Sequence, residues 1–155
     1  MIEKNDEYFM RKAFILALEA FEKGEVPIGA VIVKEGKIIA EGYNQVEMLR
    51  DATAHAEMIA ITSAENHEDN WRLLDCTLYV TVEPCMMCTG GILLSRISRI
   101  VYGVSDPRMG FLKTKYDGVK ELNLYKKVEV VSSVMEHEIR ELMQEFFKNI
   151  RTKKE

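Results

Sequence analysis

The 155-residue chain has few cysteines, and nowhere does it hold a long apolar run. Its three cysteines, Cys76, Cys85 and Cys88, are an odd number, and a domain of this length buries a core without covalent staples. The longest apolar stretches, such as Ile28 to Val33, fall far short of the ~20 residues a membrane helix needs, so no membrane partner is expected. The first seven residues are acidic and polar, with no apolar signal segment behind them, which predicts a cytoplasmic protein. Internal repeats, low-complexity tracts and a disorder-type composition are also missing. What is present is ordinary for a globular chain: 47% hydrophobic and 30% charged residues, read as one domain over 1–155. Cytosolic thiols stay reduced, so the close pair Cys85 and Cys88 points to metal or redox chemistry.

The net charge of −4 argues weakly against a nucleic-acid partner, but its distribution is uneven. Residues 96–116 carry Arg96, Arg99, Arg108, Lys113 and Lys115 against Asp106 alone. Residues 148–155 carry four cations against Glu155. Two basic segments on an acidic body are a candidate footprint for phosphates. From charge alone, a solvated helix end is the stronger reading of the C-terminal one.

Periodicity predicts the order α-β-β-α-β-α-β-β-α. A helix spans 6–23, with Phe9, Ala13, Leu16, Ala17, Ala20 and Phe21 on one face. Strands follow at 27–33 and 37–43 around the turn signal Glu35-Gly36, and 44–51 reads as polar loop. A helix capped by Asp51 or Thr53 runs to about Asn66. A strand over 76–82 leads through Pro84 to a helix over 85–94, then a strand over 98–104. An irregular stretch reaches about Leu124, and the last strand covers 127–131. Ser133-Val134-Met135-Glu136 has the form of a capping box before a final helix whose apolar face is Ile139, Leu142, Met143, Phe146 and Ile150. A hairpin followed by β-α-β units predicts an α/β fold, a mixed sheet with helices on both faces.

Two segments carry chemistry, Thr53-Ala54-His55-Ala56-Glu57 and Pro84-Cys85-Met86-Met87-Cys88. Cys85 and Cys88 share a face in the first turn of a helix, where the N–H groups favour thiolate. Thiolates select zinc among the common divalent ions. Cys76 has the wrong spacing to complete a four-cysteine site, which makes His55 the natural third ligand. Three protein ligands leave a fourth position for water, the catalytic rather than the structural arrangement. Glu57 points away from His55 on a helix and suits proton transfer beside the open position. Cys76 is expected to be a core thiol, His67 and His137 to be exposed, Trp71 to pack under a loop, and Met86 and Met87 to line the helix beneath the zinc.

Together the two segments resemble the zinc deaminases, whose signature joins His-x-Glu to Pro-Cys-x-x-Cys. Within that superfamily the chain is similar to the bacterial tRNA-specific adenosine deaminases. The matching stretches are Gly24 to Ala30, Thr53 to Glu57, Leu78 to Cys88, Ser95-Arg96-Ile97 and Asp106-Pro107, so residues 6–110 match well and the final helix loosely. The resemblance implies a three-layer αβα sandwich around a five-stranded mixed sheet, of the cytidine deaminase-like kind. It implies a homodimer that converts the wobble adenosine of a tRNA anticodon stem-loop to inosine. It implies Zn2+ on His55, Cys85 and Cys88, with Glu57 as the catalytic proton shuttle. Asn44 would contact the base, the loop at Asp106 would approach the RNA backbone, and the final helix would close the anticodon site.

The chain departs from the family at Phe111 to Gly118 and at Leu122 to Lys127, which should line the substrate entrance. A zinc deaminase of a free nucleobase or nucleoside, of the cytosine, guanine or cytidine type, shares the same ligands and is the alternative. A basic rim formed by 96–115 favours tRNA; a closed, neutral pocket favours a small substrate. A catalytically idle zinc-binding subunit is a third possibility, against which Glu57 speaks.

Overall fold

The computed structural model describes residues 3–124 and 127–154. Met1, Ile2 and Glu155 of the two termini lie outside the described residues, as do Tyr125 and Lys126 of the non-matching stretch. The elements are α1 (Asp6–Glu22), β1 (Gly29–Lys34), β2 (Lys37–Tyr43), α2 (Val46–Leu49), α3 (Ala56–Glu68), β3 (Cys76–Val82), α4 (Met86–Leu94), β4 (Arg99–Val104), α5 (Gly118–Leu122), β5 (Glu129–Val131) and α6 (Glu136–Lys154).

The five strands form one mixed sheet in the order β2-β1-β3-β4-β5. β1 runs antiparallel to both β2 and β3, whereas β3, β4 and β5 run parallel. Strand alternation sorts the side chains into two layers. Ala30, Ile32, Leu78, Val80, Ile100 and Tyr102 join the cluster that holds Ala56, Ala60, Ile61 and Ile92 of α3 and α4. Val31, Val33, Tyr79 and Val101 join Phe9, Met10, Ala13 and Ile139 of α1 and α6. The expected three-layer αβα sandwich is therefore the observed one.

Several local expectations are corrected. The segment read as polar loop contains α2, whose first turn is held by a distant side chain. Buried Glu25 accepts hydrogen bonds from the backbone N–H groups of Glu47 (3.0 Å) and Met48 (2.8 Å). The irregular stretch contains α5, capped by Asp117, which accepts from Lys120 N (3.2 Å). α6 starts later than a capping box at Ser133 would set it. Ser133 and Met135 have φ of 67° and 58°, so helical geometry begins at Glu136, and Ile139 N donates to Met135 O. His55, not Asp51 or Thr53, is the cap residue of α3. Asp51 instead closes a turn, accepting from Thr53 N and Thr53 Oγ1.

A polar clamp ties α1 to the sheet. The Arg99 guanidinium donates two bonds to Asp6, at 2.7 Å each, and a third to Glu129 (3.0 Å), while Tyr79 Oη donates to Asp6 (2.8 Å). The Arg99 bonds hold the Asp6 carboxyl below its ordinary range, outweighing the upward push of burial. A depressed carboxylate pKa contributes stability that is present above the unfolded value of about 3.9 and is lost as pH falls through the folded value. Asp6→Asn is therefore expected to lower unfolding free energy by about 1–2 kcal/mol at neutral pH. In urea titrations the gap between wild type and variant should close between about pH 5 and about pH 3. A gap that stays constant over that window would show that the charge on Asp6 contributes nothing.

Candidate metal and catalytic site

His55 and Cys85 occupy equivalent places. Each is the extended residue immediately before a helix, His55 at φ −79° and ψ 151°, Cys85 at φ −75° and ψ 177°. Both helices start at the same edge of the sheet, where β3 ends and the segment after β2 returns. Gly42 of β2 lets α3 sit close: a Cβ there would lie 2.5 Å from Ala56 O. Cys88 is one turn into α4 and fully buried.

This placement brings three ligand atoms together. His55 Nδ1 is 3.6 Å from Cys85 Sγ and 3.5 Å from Cys88 Sγ. All three atoms lie within 4.8 Å of one another. Tetrahedral zinc, with Zn–S of about 2.3 Å and Zn–N of about 2.05 Å, separates sulfur from nitrogen by about 3.6 Å. The donor set therefore fits the ion in both chemistry and spacing, and Nδ1 is the imidazole nitrogen turned to the sulfurs. The thiols share their protons unequally. A hydrogen bond from Cys88, and then one from His55, lowers Cys85 to about 4. Cys88 is pushed up, by its bond to Cys85 and by burial. His55 is raised, first by its hydrogen bond to Cys85.

Glu57 stands outside the ligand set, in the first turn of α3, 4% exposed. Its Oε1 is buried without a hydrogen-bond partner among the described residues. Burial raises its carboxyl to about 7. An unpaired buried acceptor costs about 1–3 kcal/mol, so this oxygen marks a place kept open for something other than stability.

Asn44 lies beside them and is buried. Its Oδ1 accepts from Ala56 N (2.8 Å), satisfying the first N–H of α3. Asp106 is half-buried, and its Oδ1 is committed to the backbone N–H groups of Arg108 and Met109, both at 3.0 Å. The loop that follows Asp106 borders the site, because Phe111 N donates to Pro84 O (2.9 Å), one residue before Cys85.

Sequence reasoning missed Glu83. This carboxylate is almost fully buried, yet it accepts from Asp106 N, Leu112 N, Lys113 N, Thr114 N and Thr114 Oγ1. Burial pushes its pKa up, and the bonds from the Lys113 N–H and from Thr114 more than reverse that, leaving it below the ordinary value. The available signal was a lone acid ending the apolar run of β3.

Other expectations fare variously. Cys76 is a buried core thiol, and His67 and His137 are exposed. Trp71 does not pack under a loop; it is half exposed, with the Arg72 guanidinium 4.2 Å and the Arg96 guanidinium 5.8 Å from its ring centre. Met86 points outward instead of lining the helix beneath the metal, at 62% exposure. The basic stretch does not form one rim. Arg99 is spent on Asp6 and Glu129, and Arg96 bonds the last carbonyls of α4, which leaves Arg108, Lys113 and Lys115 on the loop beside the site, where Lys113 stands 3.9 Å from the exposed Asp117 and Lys115 Nζ donates to Arg108 O (3.3 Å).

A three-layer αβα fold with a His-Cys-Cys ligand set and an adjacent buried glutamate defines a zinc-dependent deaminase class. The model of the cytidine and deoxycytidylate deaminase zinc-binding region matches residues 3–104, and the chain belongs to that family. It is 44% identical over 147 residues to the tRNA-specific adenosine deaminase of Streptococcus pyogenes serotype M1, a match that covers 95% of this chain and 86% of that one. A solved structure from work on A-to-I editing by tRNA:A34 deaminases superposes with a TM-score of 0.84 at 38% identity, over 87% of this chain and 98% of that one. Guanine deaminase from Bacillus subtilis is also 38% identical, over 78% of this chain and 71% of that one, with a TM-score of 0.63. No helix among the described residues is long and apolar enough to cross a membrane.

Proposed function

We propose that this chain hydrolytically deaminates adenosine to inosine at the wobble position of a tRNA anticodon. The observation that carries the chemistry is the unpartnered, buried Oε1 of Glu57 beside a set of three metal ligands. Similarity over nearly the whole chain to a tRNA-specific adenosine deaminase supports the substrate.

His55 Nδ1, Cys85 Sγ and Cys88 Sγ would hold the zinc. Bound there, zinc supplies a fourth position at which the pKa of water falls to about 7, so a nucleophile exists at neutral pH. Glu57 Oε1 takes a proton from the attacking water and passes it to N1 of the purine. It then moves the second proton to the departing amine as the C6–N6 bond breaks and ammonia leaves. Asn44 Nδ2 donates to the base and orients it. Asp106 shapes the turn from which Arg108, Lys113 and Lys115 reach the RNA backbone. The wobble nucleotide is unpaired in its loop, so splaying it into the pocket costs little.

The protein works as one domain over 1–155, in the cytoplasm, where its tRNA substrate is. It is a homodimer in this reading. Met86, Gly90 and Leu94 follow one another at four-residue spacing on α4; Met86 and Leu94 are exposed, and the space beside Gly90 is open, which supports self-association there.

The likeness to a guanine deaminase favours, as second reading, deamination of a free purine base. One assay separates the two. Zinc-loaded protein is offered an anticodon stem-loop with adenosine at the wobble position, alongside guanine, cytosine, adenosine and cytidine. Inosine in the stem-loop with the free compounds untouched is expected. Turnover of a free compound alone would replace the RNA substrate while keeping the zinc chemistry.

A further inference from the structure

We propose that Glu83 is a positioning residue for substrate binding: its carboxylate fixes the 106–114 loop against the start of α4. In doing so it sets where Arg108, Lys113 and Lys115 meet the substrate. The substrate half of this statement rests on the tRNA reading above.

Glu83 directly follows Val82, the last residue of β3, and precedes Pro84 and Cys85, so the strand end that leads to a proposed metal ligand also anchors the loop. Oε1 accepts from Asp106 N (3.0 Å) and from Thr114 Oγ1. Oε2 accepts from Leu112 N (3.0 Å), Lys113 N (2.8 Å) and Thr114 N (3.0 Å). The structure shows no ion pair to this carboxylate among the described residues. Its charge is answered by N–H and O–H dipoles, which bond carboxylates more strongly than neutral acceptors. The backbone follows it closely. Glu83 N donates to Val104 O and Phe111 N to Pro84 O, each at 2.9 Å, and Leu112 is fully buried in the core beneath. Gly110 is part of the same device, because a Cβ there would overlap Glu83 Oε1 and Asp106 O. No helix or strand intervenes between β4 and α5, so the loop takes its shape from this carboxylate together with that of Asp106, whose Oδ1 holds the turn at Arg108 and Met109.

The consequence is electrostatic. Cations contribute to RNA binding when their spacing matches phosphates, and each matched contact steepens the salt dependence of affinity. Glu83→Gln keeps the side-chain shape but turns one acceptor oxygen into an NH2 facing N–H donors. Gly110→Ala keeps the carboxylate and pushes the loop from the other side.

Both variants are made as full-length, zinc-loaded protein and compared with wild type by zinc content, by stem-loop kinetics across a salt series, and by amide hydrogen exchange. Exchange at Leu112, Lys113 and Thr114 should quicken by about 10-fold or more as these bonds are lost. KM for the stem-loop should rise about 10-fold, more than kcat falls, and the log–log salt slope should flatten by about 1–2. Zinc should stay at the wild-type level. A fall in kcat with KM unchanged, or loss of zinc, would make Glu83 a support of Cys85 and overturn the proposal. Unchanged exchange with unchanged KM would also overturn it. Should Glu83→Gln not fold, Gly110→Ala decides on the same readouts. Should wild type leave the stem-loop untouched, the tRNA reading fails, while the exchange data still judge the hold of Glu83 on the loop.

Discussion

Replacing Glu57 with alanine or glutamine is expected to lower kcat by at least about 10²–10⁴-fold, to near or below detection, while one zinc per chain remains bound. In the proposed mechanism the ligand atoms are His55 Nδ1, Cys85 Sγ and Cys88 Sγ, and Glu57 is not among them. Its loss therefore removes the proton carrier and leaves the ion. Stability should move the other way. Wild type buries Oε1 without a partner among the described residues, and desolvation already lifts the carboxyl to about 7. Glu57→Gln removes the charge and supplies a donor, so unfolding free energy should hold or rise by about 1 kcal/mol. The check is three numbers on one preparation: zinc per chain, kcat on the stem-loop, and the midpoint of urea unfolding. Turnover within about threefold of wild type in a zinc-replete variant would end the proton-shuttle role, since a general acid–base group contributes far more than that.

Opposite signs of effect on activity and stability fit how the site is legible in sequence. His55, Glu57, Cys85 and Cys88 could be read because each motif sits where an apolar strand or polar turn gives way to a helical pattern. Their chemistry depends on local spacing, and spacing is visible in one dimension. The same holds for the layers of the fold. Ala30 and Ile32 against Val31 and Val33, or Leu78 and Val80 against Tyr79, alternate as a strand buried on both faces must. What was not legible depends on partners distant in sequence. α2 is a single turn held by Glu25, about 22 positions earlier, and no periodicity announces four residues. The grip of Glu83 on a loop 23 to 31 positions later is invisible until the chain is folded. The basic stretch misled for the same reason. A count along the chain sees Arg99 as a free cation, but the fold brings Asp6 to it from 93 positions earlier in the chain. At Ser133 the local pattern was present and the backbone overrode it, because left-handed geometry at Ser133 and Met135 delays α6.

The second large effect is expected from Cys88→Ser, which should abolish both zinc binding and turnover. Cys88 is the most enclosed of the three proposed ligands, fully buried where His55 and Cys85 are half-exposed. A serine oxygen there offers a harder donor on a shorter bond, and zinc sites of this kind select sulfur. Binding to the folded state alone stabilises it by about 2.7 kcal/mol when free ion stands at 100 times Kd. A chelator added to wild type should therefore lower Tm by about 5–10 °C, at roughly 2–4 °C per kcal/mol for a chain of this size. Cys88→Ser should start at the lower Tm and show no further fall when chelator is added, since there is no ion to withdraw. Cys76→Ala supplies the control. Its thiol is equally buried but lies outside the ligand group, and burial raises it to about 11, so it stays protonated. Removing it costs packing, yet zinc content, turnover and the chelator-dependent fall in Tm should persist. A Cys88→Ser protein that still loses Tm to chelator as wild type does would put the ion elsewhere in the molecule. A Cys76→Ala protein that loses zinc would bring the third cysteine into the site.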